Sequence, residues 1–169
     1  DWMMFGQQID VADYTSESQQ FNPVDFNAED WALLAKAAGQ KYIVLTAKHC
    51  DGFLLWDSKA SSYNIMNSPF QRDICRELAD AAHAAGMKIG WYFSPCDWKD
   101  PRFRTSQNPE FVKTMQAELR ELLSNYGKID MLWFDTDGGS NVYDVTNTYA
   151  MCRSLQPDIV IDNRLDMGS

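Results

Sequence analysis

The chain has 169 residues, 45% of them hydrophobic and 13% aromatic, with a formal net charge of −9 at pH 7 and a sequence pI near 4.5. That much apolar side chain suits one compact core and excludes a disordered chain, while the acidic balance sets aside phosphate backbones and anionic membrane surfaces as partners. No apolar run reaches the roughly 18 to 20 residues needed to span a bilayer, and a neutral ligand such as a sugar suits this charge better than an anion.

Residues 1–25, "DWMMFGQQIDVADYTSESQQFNPVD", read as an irregular, loop-rich lead-in, with no basic n-region and apolar h-region of a signal peptide. A β/α rhythm then begins. "FNAEDWALLAKAAG" predicts a helix with Asn27 as N-cap, Glu29 and Asp30 in the first turn and Gly39 as its stop. "KYIVLTA" follows as a strand. The pattern repeats in "RDICRELADAAHAAG", with Asp73 early and Gly86 at the end, before the strand "MKIGWYFS". The helix "NPEFVKTMQAELRELLSNYG" leads through Gly127 to the strand "KIDMLWF", and "VTNTYAMCRSLQ" leads to the strand "DIVIDN".

Strands alternating with helices at this spacing indicate βα units around a parallel sheet, and near-continuous apolar strands indicate burial on both faces. Neither a G-x-G-x-x-G turn nor a P-loop is present to favour a doubly wound sheet. Each strand instead ends in groups that need a partner: Lys48 and His49, Tyr92 and Ser94, Asp135 and Asp137, then Asp162, Asn163 and Arg164. Catalytic groups of (β/α)8 barrels lie at that face, delivered by several strands. The expected fold is therefore α/β, a (β/α)8-like (TIM) barrel of which residues 1–169 form one partial domain. Its four predicted strands are about half of the eight a complete barrel requires. An uncovered half-barrel edge predicts self-association or pairing with the remainder of the barrel.

Asp135 stands where an apolar strand meets "DTDGG", a position open to a nucleophile, a general base, a metal ligand or a plain turn residue. "DTDGGSNVYD" lacks the terminal Glu of a calcium loop, and the nearby histidine is on another strand, so no metal and no cofactor is expected. Of the two histidines, His49 precedes a Gly-containing loop and is a site candidate, whereas His83, near a helix C-terminus, reads as structural. Trp56, Trp91, Trp98 and Trp133 can stack on a sugar ring or pack the core. No G-x-S-x-G is present, and Cys50 beside His49 makes no catalytic pair, because neighbours on an extended segment point apart. The four cysteines, Cys50, Cys75, Cys96 and Cys152, lack metal-ligand spacing; two disulfides are open to them, but Cys75 and Cys152 fall inside helical patterns and the set reads as free thiols.

Three blocks carry a family resemblance: "FNAEDWALLAKAAGQKYIVLTAKHCDGFLLWDSKASSYN", "RDICRELADAAHAAGMKIGWYFSPCDW" and "LRELLSNYGKIDMLWFD". In order and spacing, from about Phe21 to Arg164, they resemble glycoside hydrolase family 29, the retaining α-L-fucosidases. The resemblance implies a (β/α)8-like barrel that hydrolyses terminal α-L-fucosyl linkages of glycans through a covalent glycosyl-enzyme. On it, Asp135 matches the nucleophile, His49 the first histidine of a pair that binds fucose hydroxyls, Tyr92 an active-site tyrosine, and Arg164 an arginine of the same pocket. Cys50 takes the place of the second histidine, and Trp56 is a further substrate-binding candidate. The ligand is then a fucosylated oligosaccharide or glycoconjugate, and family habit points to a periplasmic or secreted protein. The family's N-terminal H-W-G strand has no match, and its general acid/base lies beyond the region matched here, so a large fragment is expected. Within this chain Asp97 and Asp137 are the candidates to stand in for that acid/base, and no motif favours either. A glycan-binding relative without turnover, or a retaining glycosidase for a related sugar, are the alternatives.

Overall fold

The computed structural model describes residues 2–6, 8–135 and 142–166. Helix α3 (Ala28–Ala37) opens where Asn27 accepts a hydrogen bond from the Asp30 amide at 3.1 Å. Helix α4 (Ile74–Ala84) opens in the same way on Asp73, which accepts from the Arg76 amide at 2.8 Å. Each cap satisfies an amide that has no partner within its helix. Gly39, Gly86 and Gly127, the stops expected from sequence, all have the positive φ of a left-handed helix end, 78°, 71° and 73°.

Strands β1 (Tyr42–Lys48), β2 (Lys88–Phe93), β3 (Met131–Phe134) and β4 (Val160–Ile161) form one sheet in the order β1-β2-β3-β4, every neighbouring pair parallel. Helix α5 (Asn108–Ser124) links β2 to β3, and α6 (Val145–Leu155) lies between β3 and β4. Strand order following chain order with helical crossovers is the arrangement the sequence predicts for barrel units.

Side chains alternate across a strand, so the register sorts them into two faces. On the outer face Ile89, Trp91, Phe93, Leu132 and Phe134 are fully buried, against Leu78 and Ala82 of α4 and Met115, Leu119 and Leu122 of α5. The Trp91 indole N–H donates to the Leu122 carbonyl at 3.1 Å, which removes the one polar cost of burying it. On the inner face Val44, Gly90 and Met131 form one row, and Thr46, Tyr92 and Trp133 the next. That face is uncovered: Tyr42, Trp133 and Val160 are 54%, 44% and 59% exposed.

The lead-in differs from its sequence reading. Trp2–Gly6 (α1) and Val11–Ser16 (α2) are short helices, followed by a 3₁₀ turn over Glu17–Gln20. Helix α2 has no buried residue, so it leaves no apolar stripe in the sequence. It is held by its ends, with Asp10 capping the Ala12 amide at 2.8 Å and the Tyr14 hydroxyl donating to Asp51 at 3.3 Å.

Gly90 lies where β2 leaves no room for a side chain against β3, since a Cβ there would sit 2.8 Å from both the Met131 Cβ and its carbonyl oxygen. Gly90→Ala is expected to lower stability by about 1–3 kcal/mol in urea unfolding. Gly6→Ala, which meets nothing within 4 Å, is expected to stay within about 0.5 kcal/mol of the parent.

Candidate active site

The ends of β2, β3 and β4 converge on Asp135. The Tyr92 hydroxyl donates to Asp135 Oδ2 at 2.7 Å, and the Arg164 guanidinium meets Oδ1 at 2.5 Å. Tyr92 is there because it shares the inner face with Trp133, its partner in register, and Asp135 lies two residues after Trp133, just past the end of β3. Arg164 opens a 3₁₀ turn (Arg164–Asp166) after β4. Burial first, then the hydrogen bond to Asp135, pushes the Tyr92 phenol well above its ordinary pKa, so it stays protonated and donates. The carboxylate is oriented from both oxygens yet keeps 37% of its side-chain surface open.

Two rings flank Tyr92. His49 stacks on Tyr92 with centroids 5.5 Å apart and planes 2° from parallel, and Trp133 meets Tyr92 edge-on at 5.5 Å. In the sequence Trp133 stands out only as one of an aromatic cluster. Its signal was alternation, two residues before Asp135 and therefore on the same face.

Lys48, the neighbour of His49, points the other way. It is 1% exposed, with Nζ 2.8 Å from Glu118 of α5, 3.3 Å from Asp97 and 5.2 Å from the Phe93 ring centroid. Burial opposes the charge on Lys48, but the two carboxylates outweigh it and raise its pKa. Both oxygens of Asp97 are engaged: Oδ2 faces Lys48 and Oδ1 accepts from the Lys99 and Asp100 amides at 3.0 Å each. Asp137, the other candidate, lies outside the described residues.

Trp56 and Cys50 differ from their sequence expectations. Trp56 is completely buried, its indole N–H donating to Glu121 Oε2 at 2.8 Å, so it has no face to offer a sugar. Glu121 also accepts from the Ser58 hydroxyl and the Lys59 and Ala60 amides, which fixes the loop carrying Trp56 against α5. Cys50 is not a free thiol but is joined to Cys96, with Cα atoms 5.1 Å apart, within ordinary disulfide reach. The loops after β1 and β2 bring the pair together, and Trp98 N–H donates to the Cys50 carbonyl at 2.7 Å across the same seam. Ser94 Oγ lies 3.0 Å from both sulfurs. Cys75 and Cys152 are free and buried as expected, and His83 is structural, its Nε2 2.8 Å from the Lys128 carbonyl.

Among the described residues no three His, Cys, Asp or Glu side chains come together as an ion site. A cavity of about 750 Å³ lies between α3 and α4, lined by Phe26, Leu33, Arg72 and Glu77. It is lined by residues of the two helices and of the segments that lead into them, and receives no strand-end group. The strand-end groups gather instead at the open mouth around Asp135.

A parallel α/β sheet that gathers a carboxylate, a phenol and a guanidinium at its C-terminal edge has the layout of a barrel hydrolase. Comparison makes the assignment specific. Residues 3–169 match the profile of the alpha-L-fucosidase family, and the chain belongs to that family. It is 34% identical over 148 residues to alpha-L-fucosidase 1 of Arabidopsis thaliana, covering 83% of this chain and 29% of that protein. With the plasma alpha-L-fucosidase of Rattus norvegicus it shares 40% over 158 residues, 85% of this chain and 34% of that one. Among solved structures, a family 29 alpha-L-fucosidase from Bacteroides thetaiotaomicron superposes with a TM-score of 0.93 at 31% identity, covering 98% of this chain and 40% of that chain. Alpha-L-fucosidase AlfC from Lactobacillus casei, in complex with alpha-L-fucose product, gives 0.91 at 33% identity over 99% and 60%. The chain thus spans about a third of these curated relatives, and its fold is part of their barrel.

The thiols offer a direct check. Burial pushes the Cys152 thiol up to about 12 and Cys75 well above its ordinary value. A raised thiol pKa means less thiolate, on the order of one part in ten thousand for Cys152 at pH 8. Iodoacetamide at pH 8 is therefore expected to leave Cys75 and Cys152 of the folded chain unmodified, with both reacting after denaturation. Peptide mapping reads the result, and Cys50 and Cys96 are expected to be alkylated only after reduction.

Proposed function

We propose that this chain carries the nucleophile side of a retaining exo-α-L-fucosidase acting on fucosylated oligosaccharides or glycoconjugates. The supporting observation is the convergence of Tyr92 and Arg164 on the two oxygens of a still accessible Asp135. In this reading an Asp135 oxygen attacks the anomeric carbon, a C–O bond forms to the enzyme, and the glycosidic C–O bond breaks as the leaving oxygen takes a proton from a general acid. Water then attacks the same carbon, gives its proton to that residue acting as base, and releases fucose with retained configuration. The acid/base is assigned to none of the described residues.

His49, stacked on Tyr92, and Arg164 supply directional groups for sugar hydroxyls, while the half-exposed Trp133 offers an apolar surface to the C–H face of the ring. Cys50 stands where the family has a second histidine. Its sulfur is held in the bridge to Cys96, so it has no hydrogen to donate to a sugar. The bridge also supports a periplasmic or secreted setting, because disulfides persist in oxidising compartments. The uncovered inner face supports a longer parent protein that completes the barrel.

The test is hydrolysis of 4-nitrophenyl α-L-fucopyranoside followed by proton NMR, on this chain and on a form extended to the length of its relatives. The α-anomer of fucose is expected to form first. Asp135→Ala is expected to lower kcat/KM by on the order of a thousandfold or more. Tyr92→Phe, which removes one hydrogen bond to a charged group, is expected to lower it about 10- to 100-fold. First appearance of the β-anomer, or a fully active Asp135→Ala variant, would overturn the mechanism. Fucose binding without turnover would favour the glycan-binding alternative.

A further inference from the structure

We infer that Lys48 is a positioning residue: by burying its ammonium group between Glu118 and Asp97 it sets the bulge at the end of β1 and so turns His49 into the site. The inference rests on the proposed role of His49 as a sugar-binding group.

The case begins with parity. Thr46 pairs with Tyr92 on the inner face. Were β1 regular, Lys48 would share that face two residues later and His49 would point at the helices. The register instead slips between Thr46 and Lys48, so that Lys48 pairs with Phe93, whose side chain is fully buried on the outer face. One extra residue in a strand reverses the facing of everything that follows it. Lys48 thereby enters the outer layer, and His49 comes to lie flat on Tyr92.

What holds the slip in place is the side chain of Lys48. Its ammonium, 1% exposed, reaches α5 at Glu118, itself 2% exposed, and Asp97 in the loop after β2. A buried ammonium without these carboxylates is costly, and so are the carboxylates without it, which makes the outward position the one arrangement that satisfies all three charges. Backbone bonding agrees, since the Lys48 carbonyl accepts from the Ser94 amide at 3.0 Å. Gly52 closes the same assembly: at φ +79° a Cβ there would lie 2.6 Å from both Asp97 carboxylate oxygens. Lys48 touches no group that would contact substrate. It acts through His49.

The chain has two histidines, so the ring signals of histidine-labelled protein resolve the question. His83 on α4, held at the Lys128 carbonyl, is the internal control. In Lys48→Ala the His49 ring protons are expected to lose the ring-current shift imposed by Tyr92 and move toward free-histidine positions, with His83 unchanged. Lys48→Arg is expected to restore the parent shift, because a cavity of about 230 Å³ beside Asp97 and Glu118 leaves room for the guanidinium. Glu118→Gln, isosteric and suited to folding should Lys48→Ala fail, is expected to give an intermediate shift. Toward 4-nitrophenyl α-L-fucopyranoside, KM is expected to rise about tenfold in Lys48→Ala with a smaller change in kcat. His49 signals unmoved in folded Lys48→Ala and Glu118→Gln would overturn the inference. If His49 moves while no form, parent included, hydrolyses the fucoside, the positioning role stands and the fucosidase reading fails.

Discussion

The parallel register that sets Thr46, Tyr92 and Trp133 side by side is the constraint from which the site follows. Once Tyr92 is opposite Trp133, strand alternation obliges Asp135 to emerge on the same face, within reach of the phenol. The register is itself fixed by the opposite face, where Trp91, Phe93, Leu132 and Phe134 must all meet α4, α5 and α6. A slip by one residue would expose that core and bury the polar row. Core burial and site assembly are thus two faces of one pairing, and the energy that specifies the first also specifies the second.

A second layer of control lies in buried charge. The Lys48, Glu118 and Asp97 group is an ion assembly where hydrophobic packing would otherwise suffice, and such groups are weak evidence for stability on their own. Its effect is geometric. It links β1 to the loop after β2 and to helix α5, 49 and 70 residues further on at Asp97 and Glu118, at the point where β1 changes facing. The Cys50–Cys96 bridge and the Trp98 to Cys50 hydrogen bond run along the same seam between the first two strand-end loops. Those loops are therefore more firmly joined to each other than strand pairing alone would require.

Much of this was legible in the sequence because it is local. Asn27, Asp73 and Gly86 mark helix ends through chemistry within a few residues, and the apolar runs ending in Tyr92, Asp135 and Arg164 mark strand mouths. What was hidden depends on contacts between distant positions. The burial of Trp56 is decided by Glu121, 65 residues away, and that of Lys48 by Glu118, 70 residues away. Cys50 and Cys96, 46 apart, meet because consecutive parallel strands end side by side. Helix α2 was missed for a different reason: it buries nothing, so its polar sequence resembles a loop and only its Asp10 cap betrays it. Trp133 could have been recovered by counting back two residues from Asp135, whereas the slip after Thr46 leaves no mark in "KYIVLTAKHC".

The central claim is that Asp135 is the group that bonds to the sugar. Covalent trapping tests it most directly, because a 2-deoxy-2-fluoro-fucosyl fluoride carries a leaving group that departs without acid assistance. The protein, alone and in a form extended to the length of its relatives, is incubated with this reagent and examined by intact mass and peptide mapping. The account requires the mass of one fluorofucosyl group on the peptide containing Asp135. A label on any other carboxylate, or none on the extended form, would contradict it.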